Sequence, residues 1–165
     1  MAHSDHSSVD PAETERFNSL AETWWDPAGP MRPLHEFNQP RLDVICHSLK
    51  RRFAGTDGQL DGISILDVGC GGGLVAEPLA RLGASVTGID VADKNIHVAR
   101  AHAEQSGLDI DYRITTAEDL AQSGAAFDVV LSLEVVEHVA DLPIFMSACC
   151  GLVKPGGLMF VATIN

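Results

Sequence analysis

An apolar strand runs directly into a glycine-rich loop in the segment Gly62-Ile-Ser-Ile-Leu-Asp-Val-Gly-Cys-Gly-Gly-Gly-Leu74. The first half is mostly β-branched and too short for a helix, which predicts a strand that is covered on both faces. Gly69, Gly71 and Gly73 then allow a sharp turn and a close approach of the backbone to a ligand. A glycine loop between a strand and a helix is a general nucleotide-binding arrangement.

Two residues of this segment favour S-adenosylmethionine (SAM) over a dinucleotide. The dinucleotide fingerprint requires Gly or Ala at its last position, where this sequence has Leu74. Asp67 precedes the loop, and its carboxylate repels a pyrophosphate but suits the cationic amine and sulfonium of SAM. We therefore expect Asp67, Gly69 and Gly71 to contact this cofactor.

Length, charge and cysteine content restrict the possible function classes. A chain of 165 residues predicts one domain with a real core. The net charge of −12 argues against a nucleic-acid partner, because binding to a phosphate backbone needs clustered basic residues. The cluster Lys50-Arg51-Arg52 is either a solvated helix end or a contact for lipid headgroups. Four cysteines without C-x-x-C spacing indicate free thiols in a reducing, cytoplasmic compartment.

Strands and helices alternate from residue 62 onward. The predicted strands lie at 63–68, 85–89, 110–115, 127–132 and 158–163. This alternation predicts a Rossmann-like α/β fold with a parallel sheet of order 3-2-1-4-5. The ligand should then lie at the carboxyl ends of strands 1 and 4, where the strand order reverses.

The domain organisation predicted from the sequence has three parts. These are a disordered tail at residues 1–9, an N-terminal helical lid at residues 10–61, and a SAM-binding core at residues 62–165. Within the lid, Asp10 and Pro11 mark the start of one helix, and Pro40 is expected to start a second.

Further candidate cofactor residues follow the second and third strands. Asp90 ends strand 2, where an acidic side chain can accept both ribose hydroxyls of an adenosine, although a strand-end Asp is often only a helix cap. Val91 should lie under the adenine. The loop that includes Ala117 should cover the adenine edge, but a capped helical turn explains that loop equally well.

The segment Ser132-Leu-Glu-Val-Val-Glu-His138 follows strand 4, where an acceptor would meet the methyl group. If this segment is helical, Glu134, Glu137 and His138 share one face. Three interpretations stay open. The three side chains hold a divalent cation, or a glutamate orients His138 as a general base, or His138 is a packing residue and Glu134 a cap.

The sequence resembles two nested protein families. Class I SAM-dependent methyltransferases share the motifs Leu66-Asp-Val-Gly-Cys-Gly-Gly-Gly, Gly88-Ile-Asp90, Ala117-Glu-Asp-Leu, Phe127-Asp-Val-Val and Leu152-Val-Lys-Pro-Gly-Gly. The ubiquinone-biosynthesis O-methyltransferase family shares Trp24-Trp25-Asp26-Pro27, Pro33-Leu34-His35, Asn38-x-x-Arg41-Leu42 and the segment 132–138.

This resemblance implies methyl transfer from SAM to a phenolic oxygen of polyprenylated phenol or catechol precursors of ubiquinone. It implies that Arg41 reaches the SAM carboxylate and that Leu133 offers its backbone to the cofactor. It also implies a Mg²⁺ site at Glu134, Glu137 and His138, with His138 and Glu134 as the catalytic candidates. The alternatives are a methyltransferase for another small phenol and a SAM-binding fragment without turnover.

The resemblance also has implications for the cellular location of the protein, its partners and the extent of its fold. It implies peripheral contact with the inner face of the membrane and membership of a ubiquinone-biosynthesis complex. In the family, the fold continues with a helix and an antiparallel strand pair after strand 5. We therefore expect a C-terminally truncated core that lacks those strands.

Overall fold

A computed structural model describes residues 7–53 and 59–164 of the chain. Its five strands are β1 (Ser64–Val68), β2 (Ser85–Asp90), β3 (Asp111–Ile114), β4 (Phe127–Leu133) and β5 (Val153–Ala162). They form one parallel sheet of order β3-β2-β1-β4-β5. The predicted Rossmann-like fold and strand order are therefore confirmed.

Helices cover both faces of this sheet. They are α1 (Pro11–Leu20), α2 (Arg32–Arg52), α3 (Ala76–Arg81), α4 (Asp93–Gln105), α5 (Ala117–Gln122) and α6 (Leu142–Gly151). Two short 3₁₀ turns, Ala21–Thr23 and Val136–His138, complete the described elements. None of the helices in the described ranges is long and apolar enough to cross a membrane.

β1 is the centre of the sheet and is buried on both faces. Ile65 and Leu66 are both 0% exposed, and successive strand residues point to opposite faces. Ile65 belongs to a core formed with α2, α3 and α4, whereas Leu66 belongs to a second core formed with α5 and α6. This double coverage explains the short, uninterrupted apolar run in the sequence.

The N-terminal helices differ from the prediction at one boundary. Asp10 caps α1 by accepting hydrogen bonds from the backbone N–H groups of Ala12 and Glu13, as expected. The second helix begins at Arg32, with Pro33 in its first turn, and continues through Pro40. The prediction that Pro40 starts this helix is wrong, because a proline inside a helix removes one hydrogen bond without always ending the helix.

The first residues also differ from the expected disordered tail. Residues 1–6 lie outside the described ranges, but Ser8 is buried. Its N–H donates to Glu118 Oε1 at 3.0 Å, and its carbonyl accepts from the N–H of Ala140 at 2.8 Å. Ser8 therefore ties the start of the described chain to the loops that follow β3 and β4.

β5 begins five residues earlier than predicted. Residues 154–157, whose Lys-Pro-Gly-Gly sequence is typical of a tight turn, lie within the strand, where the pairing with β4 shifts register between Phe127 and Val129. Gly156 has a positive φ of 79°, which accommodates this irregularity. The Pro-Gly-Gly sequence thus indicates an irregular strand start here instead of a separate turn.

Candidate functional site

A cavity of about 380 Å³ lies where β1, β2 and β4 end. It is at the point where the strand order reverses between β1 and β4, as predicted. The N-terminal segment forms its other wall, through residues of α1 and α2. All but one of the proposed cofactor residues line it: Arg41, Asp67, Gly69, Asp90, Val91, Ala117 and Leu133.

Gly71 is the exception, and the glycine loop explains why. A Cβ at Gly71 or Gly72 would overlap the side chain of Trp24, and a Cβ at Gly73 would overlap the hydroxyl of Tyr112. These glycines therefore make room for protein side chains. The expectation that Gly71 lies at the ligand is not supported, since it lies outside the cavity wall and its N–H donates to Asp90 Oδ2 at 2.9 Å.

Asp90 is held by donors from three directions. Besides Gly71, the N–H of Ala92 donates to its Oδ1 at 2.8 Å, and the amide of Asn95 donates to Oδ2 at 3.3 Å. Burial raises the pKa of Asp90, and these hydrogen bonds oppose that effect. Asn95 in turn accepts from the indole N–H of Trp24 at 2.7 Å. The carboxylate at the end of β2 is thus connected to the N-terminal segment.

Asp67 is a second carboxyl group on the same wall and is more deeply buried than Asp90. It is 3% exposed, and burial together with the neighbouring charge of Asp90 raises its pKa to about 7. Two neighbouring carboxyl groups in one cavity favour a ligand that brings a positive charge. The cationic amine and sulfonium of SAM, the cofactor expected from the sequence, would supply that charge.

The cavity wall at the start of α5 holds an unpaired acceptor. Glu118 follows Ala117 at the start of α5 and lines the cavity. Its Oε1 accepts from Ser8, but its Oε2 is buried and has no hydrogen-bond partner among the described residues. An exocyclic amine such as that of adenine would satisfy this oxygen. The sequence motif includes Glu118, but nothing in its spacing marks it as an acceptor.

Arg41 and Glu134 form an ion pair at the cavity wall. Glu134 is the one non-glycine residue with a positive φ, 57°, in the described ranges. Its other oxygen accepts from the N–H of Ile164 at 2.8 Å. Burial raises the pKa of Glu134, while the hydrogen bond from Ile164 and the charge of Arg41 lower it. Arg41 is therefore within the site and already neutralised.

The three predicted metal ligands do not converge. The segment after β4 turns through the positive φ of Glu134 and forms only one 3₁₀ turn, so the helix on which a shared face depended is not formed. Glu134 faces Arg41, whereas His138 Nδ1 lies 2.7 Å from Glu13 Oε2. Within residues 7–53 and 59–164, no group of three His, Cys, Asp or Glu side chains has the geometry to hold a metal ion.

Comparisons with known proteins identify the family. Residues 66–161 match a family described as a methyltransferase domain. The ubiquinone biosynthesis O-methyltransferase of Brucella anthropi is 55% identical, over all of this chain and 68% of that protein. The protein of the same name in Sinorhizobium fredii is 52% identical, with the same shares covered. This chain belongs to the ubiquinone biosynthesis O-methyltransferases.

A solved structure agrees with this assignment. The magnesium protoporphyrin IX methyltransferase of Synechocystis, with bound SAM, has a TM-score of 0.69 and 26% identity. The match covers 87% of this chain and 71% of that one. The chain is accordingly a SAM-dependent O-methyltransferase.

Proposed function

We propose that this O-methyltransferase moves the methyl group of SAM to a phenolic oxygen of a polyprenylated precursor of ubiquinone. One observation carries the proposal. The same cavity joins the buried carboxyl group of Asp67 and the half-buried one of Asp90 to an apolar part that contains His138. The names of the relatives supply the pathway.

In the cofactor half, each polar wall group has a counterpart on SAM. Asp90 accepts the ribose hydroxyls, and Asp67 faces the positive charge of the methionine part. Val91 and Ala117 contact the adenine. Arg41 pairs with the SAM carboxylate, which means that the ligand shares or replaces its contact with Glu134. The backbones of Gly69 and Leu133 complete this half.

In the acceptor half, apolar side chains surround a candidate base. Phe17, Leu20, Val139 and Phe145 line this part of the wall. They suit an aromatic ring that carries a prenyl chain. A phenol has a pKa of about 10, so removal of its proton by His138 accelerates its attack on the methyl carbon. Placement of the oxygen in line with the sulfonium supplies much of the remaining rate.

Binding and turnover assays with the same preparation test this proposal. Calorimetric titration with S-adenosylhomocysteine (SAH) should show one site. A catechol with a short prenyl chain should then accept the methyl group of SAM faster than prenyl-free catechol. A preference for the prenyl-free acceptor would favour the alternative of a small soluble phenol. Binding without turnover would favour a SAM-binding fragment, and absence of SAH binding would contradict the proposal.

Magnesium stays a prediction that only the resemblance supports. It requires Glu134 to leave Arg41 and His138 to leave Glu13, so the observed side chains do not fit the ion. Methyl transfer in the presence of a chelator tests it. Loss of activity that added Mg²⁺ restores would support the ion, whereas unchanged activity would remove Glu134, Glu137 and His138 as ligands.

Membrane contact also belongs to this proposal. A polyprenylated acceptor resides in lipid, and the exposed cluster Lys50-Arg51-Arg52 ends α2. Cosedimentation with anionic vesicles should exceed that with neutral vesicles, because basic residues near a surface favour anionic headgroups. Reversal of the three charges should abolish the difference. A cytoplasmic location at the inner face of the membrane and a complex with other pathway enzymes stay predictions from the resemblance.

A further inference from the structure

We propose that Glu13, on the N-terminal helix α1, is the positioning residue that holds His138 as the general base. This inference rests on the proposed function. Glu13 Oε2 lies 2.7 Å from His138 Nδ1. Both residues line the cavity, although 125 positions separate them in the chain. The pair therefore joins the N-terminal segment to the acceptor half of the site.

The position of Glu13 is fixed by the start of its helix. Asp10 caps α1, and its side chain accepts from the N–H of Glu13. One turn later on the same face, Phe17 meets the His138 ring edge-on, with ring centroids 5.1 Å apart and planes at 80°. Two side chains of α1 therefore set the location and the tilt of the imidazole.

The carboxylates next to His138 in sequence are engaged elsewhere. Glu134 accepts from Arg41 and from the N–H of Ile164. Glu137 lies beside Glu134, and its charge helps to raise the pKa of that carboxyl group. In this proposal, the glutamate that orients His138 is Glu13, which a distant helix contributes, and neither of the two glutamates next to it in sequence.

The Glu13 contact selects the form of the ring that accepts a proton. A neutral imidazole carries one N–H, and a carboxylate at Nδ1 keeps that hydrogen on Nδ1. The lone pair of Nε2 is then available to the acceptor. As the phenolic O–H transfers its proton to Nε2, the oxygen forms a bond to the methyl carbon. The bond from that carbon to sulfur breaks, and sulfur keeps the electron pair in neutral SAH. Glu13 stabilises the resulting imidazolium.

Three variants test the assignment with the whole chain saturated with cofactor. Glu13→Ala removes the contact, and Glu13→Gln keeps a hydrogen-bond acceptor without the charge. Glu15→Ala is the matched control, because Glu15 is exposed on the same helix. We expect Glu13→Ala to lower kcat by about 10- to 100-fold at an unchanged KM for SAM. Glu13→Gln should retain more of the rate, and Glu15→Ala should behave as the parent.

Nitrogen-15 NMR of the histidine rings in the SAH complex gives a readout that does not need turnover. The neutral His138 ring should carry its hydrogen on Nδ1 in the parent, in Glu13→Gln and in Glu15→Ala, and should lose this preference in Glu13→Ala. An unchanged ring signal in Glu13→Ala overturns the proposal. So does a Glu13→Ala variant that loses SAH affinity to the same extent as activity, because that result indicates a structural role.

Failure of the proposed function can be distinguished from failure of the Glu13 assignment. If the parent binds SAH and methylates no acceptor, the methyl-transfer function is contradicted, and the ring signal still decides whether Glu13 sets the form of His138. If a chelator abolishes activity and Mg²⁺ restores it, His138 is a ligand and its assignment as a base positioned by Glu13 is overturned.

Discussion

Two neighbouring carboxyl groups, the buried one of Asp67 and the half-buried one of Asp90, distinguish this cavity at the scale of single residues. The pKa of Asp67 is raised to about 7 by burial and by the charge of Asp90. The cationic amine that SAH shares with SAM favours the ionised form of Asp67, so SAH affinity should rise with pH through this value. Each pH unit below it should weaken binding by up to about tenfold. Calorimetry across this range should show the slope in the parent and its loss in Asp67→Asn.

The stability of the empty protein should respond in the opposite direction. A carboxyl group whose folded pKa is raised above 3.8 stabilises the fold below that unfolded value, and this contribution is lost as pH rises towards 7. Without ligand, Asp67→Asn should therefore melt above the parent at pH 8 and near it at pH 4. An SAH affinity in the parent that does not change with pH would contradict the titration of Asp67 near pH 7 at the ligand.

Asp90 should carry more of the cofactor affinity than any nearby acid. Hydrogen bonds to a charged acceptor contribute about 1.5–3 kcal/mol, so Asp90→Asn should weaken SAH binding by about 10- to 100-fold. Asp93→Asn is the matched control, because it removes the same charge from an exposed position three residues later. Equal affinities of the two variants would contradict the ribose assignment.

At the scale of elements, the N-terminal segment and the glycine loop form one packed unit. Trp24 occupies the space beside Gly71 and Gly72, and the Trp25 indole N–H donates to the carbonyl of Gly72 at 3.0 Å. Trp25 also stacks on His102 of α4, with ring centroids 3.5 Å apart. The loop glycines thus connect the N-terminal helices to the sheet.

Gly72→Ala should disturb this unit without backbone strain, since the φ of Gly72 is not positive. The added methyl group meets Trp24, and overpacking of this kind costs about 1–3 kcal/mol. The free energy of unfolding in urea should fall by that amount, and SAH affinity should fall with it through Trp24, Asn95 and Asp90. Gly151→Ala is the control, because its added methyl group meets nothing within 4 Å. If Gly72→Ala unfolds as the parent does, Trp24 does not hold the loop.

At the scale of the whole molecule, the sequence predicted the sheet more completely than the site. Short apolar runs such as that of β1 alternate with helix-length segments, which predicts parallel strands. The right-handed crossovers between these strands then favour the observed strand order. The cavity residues at strand ends followed from that order, since Asp67, Asp90 and Leu133 lie at or next to the last residues of three adjacent strands. The local sequence pattern was therefore sufficient to predict the residues whose positions follow from the order of the strands.

The remaining features depend on contacts between distant residues. The partners of His138 and Arg41 are Glu13 and Glu134, and no periodicity links either pair. The helical spacing of Glu134 and His138 predicted a shared face, but the positive φ of Glu134 turns the chain. The prediction that Pro40 starts the second helix failed for a related reason. The packing of α2 on the core outweighs the one hydrogen bond that Pro40 removes.

The cavity wall joins α1, the glycine loop and three strand ends, so cofactor binding should stabilise all of them together. At a SAH concentration of about 100 times Kd, stabilisation is about 2.7 kcal/mol, which raises Tm by roughly 5–10 °C in a chain of this length. Hydrogen exchange should slow in α1 and in the turn Ala21–Thr23 as well as at the ends of β1 and β2. NADH is the control, and it should change neither Tm nor the hydrogen-exchange rates. Protection confined to the strand ends would show that the N-terminal helices do not close on the cofactor, and would separate the role of Trp24 in packing from any role in binding.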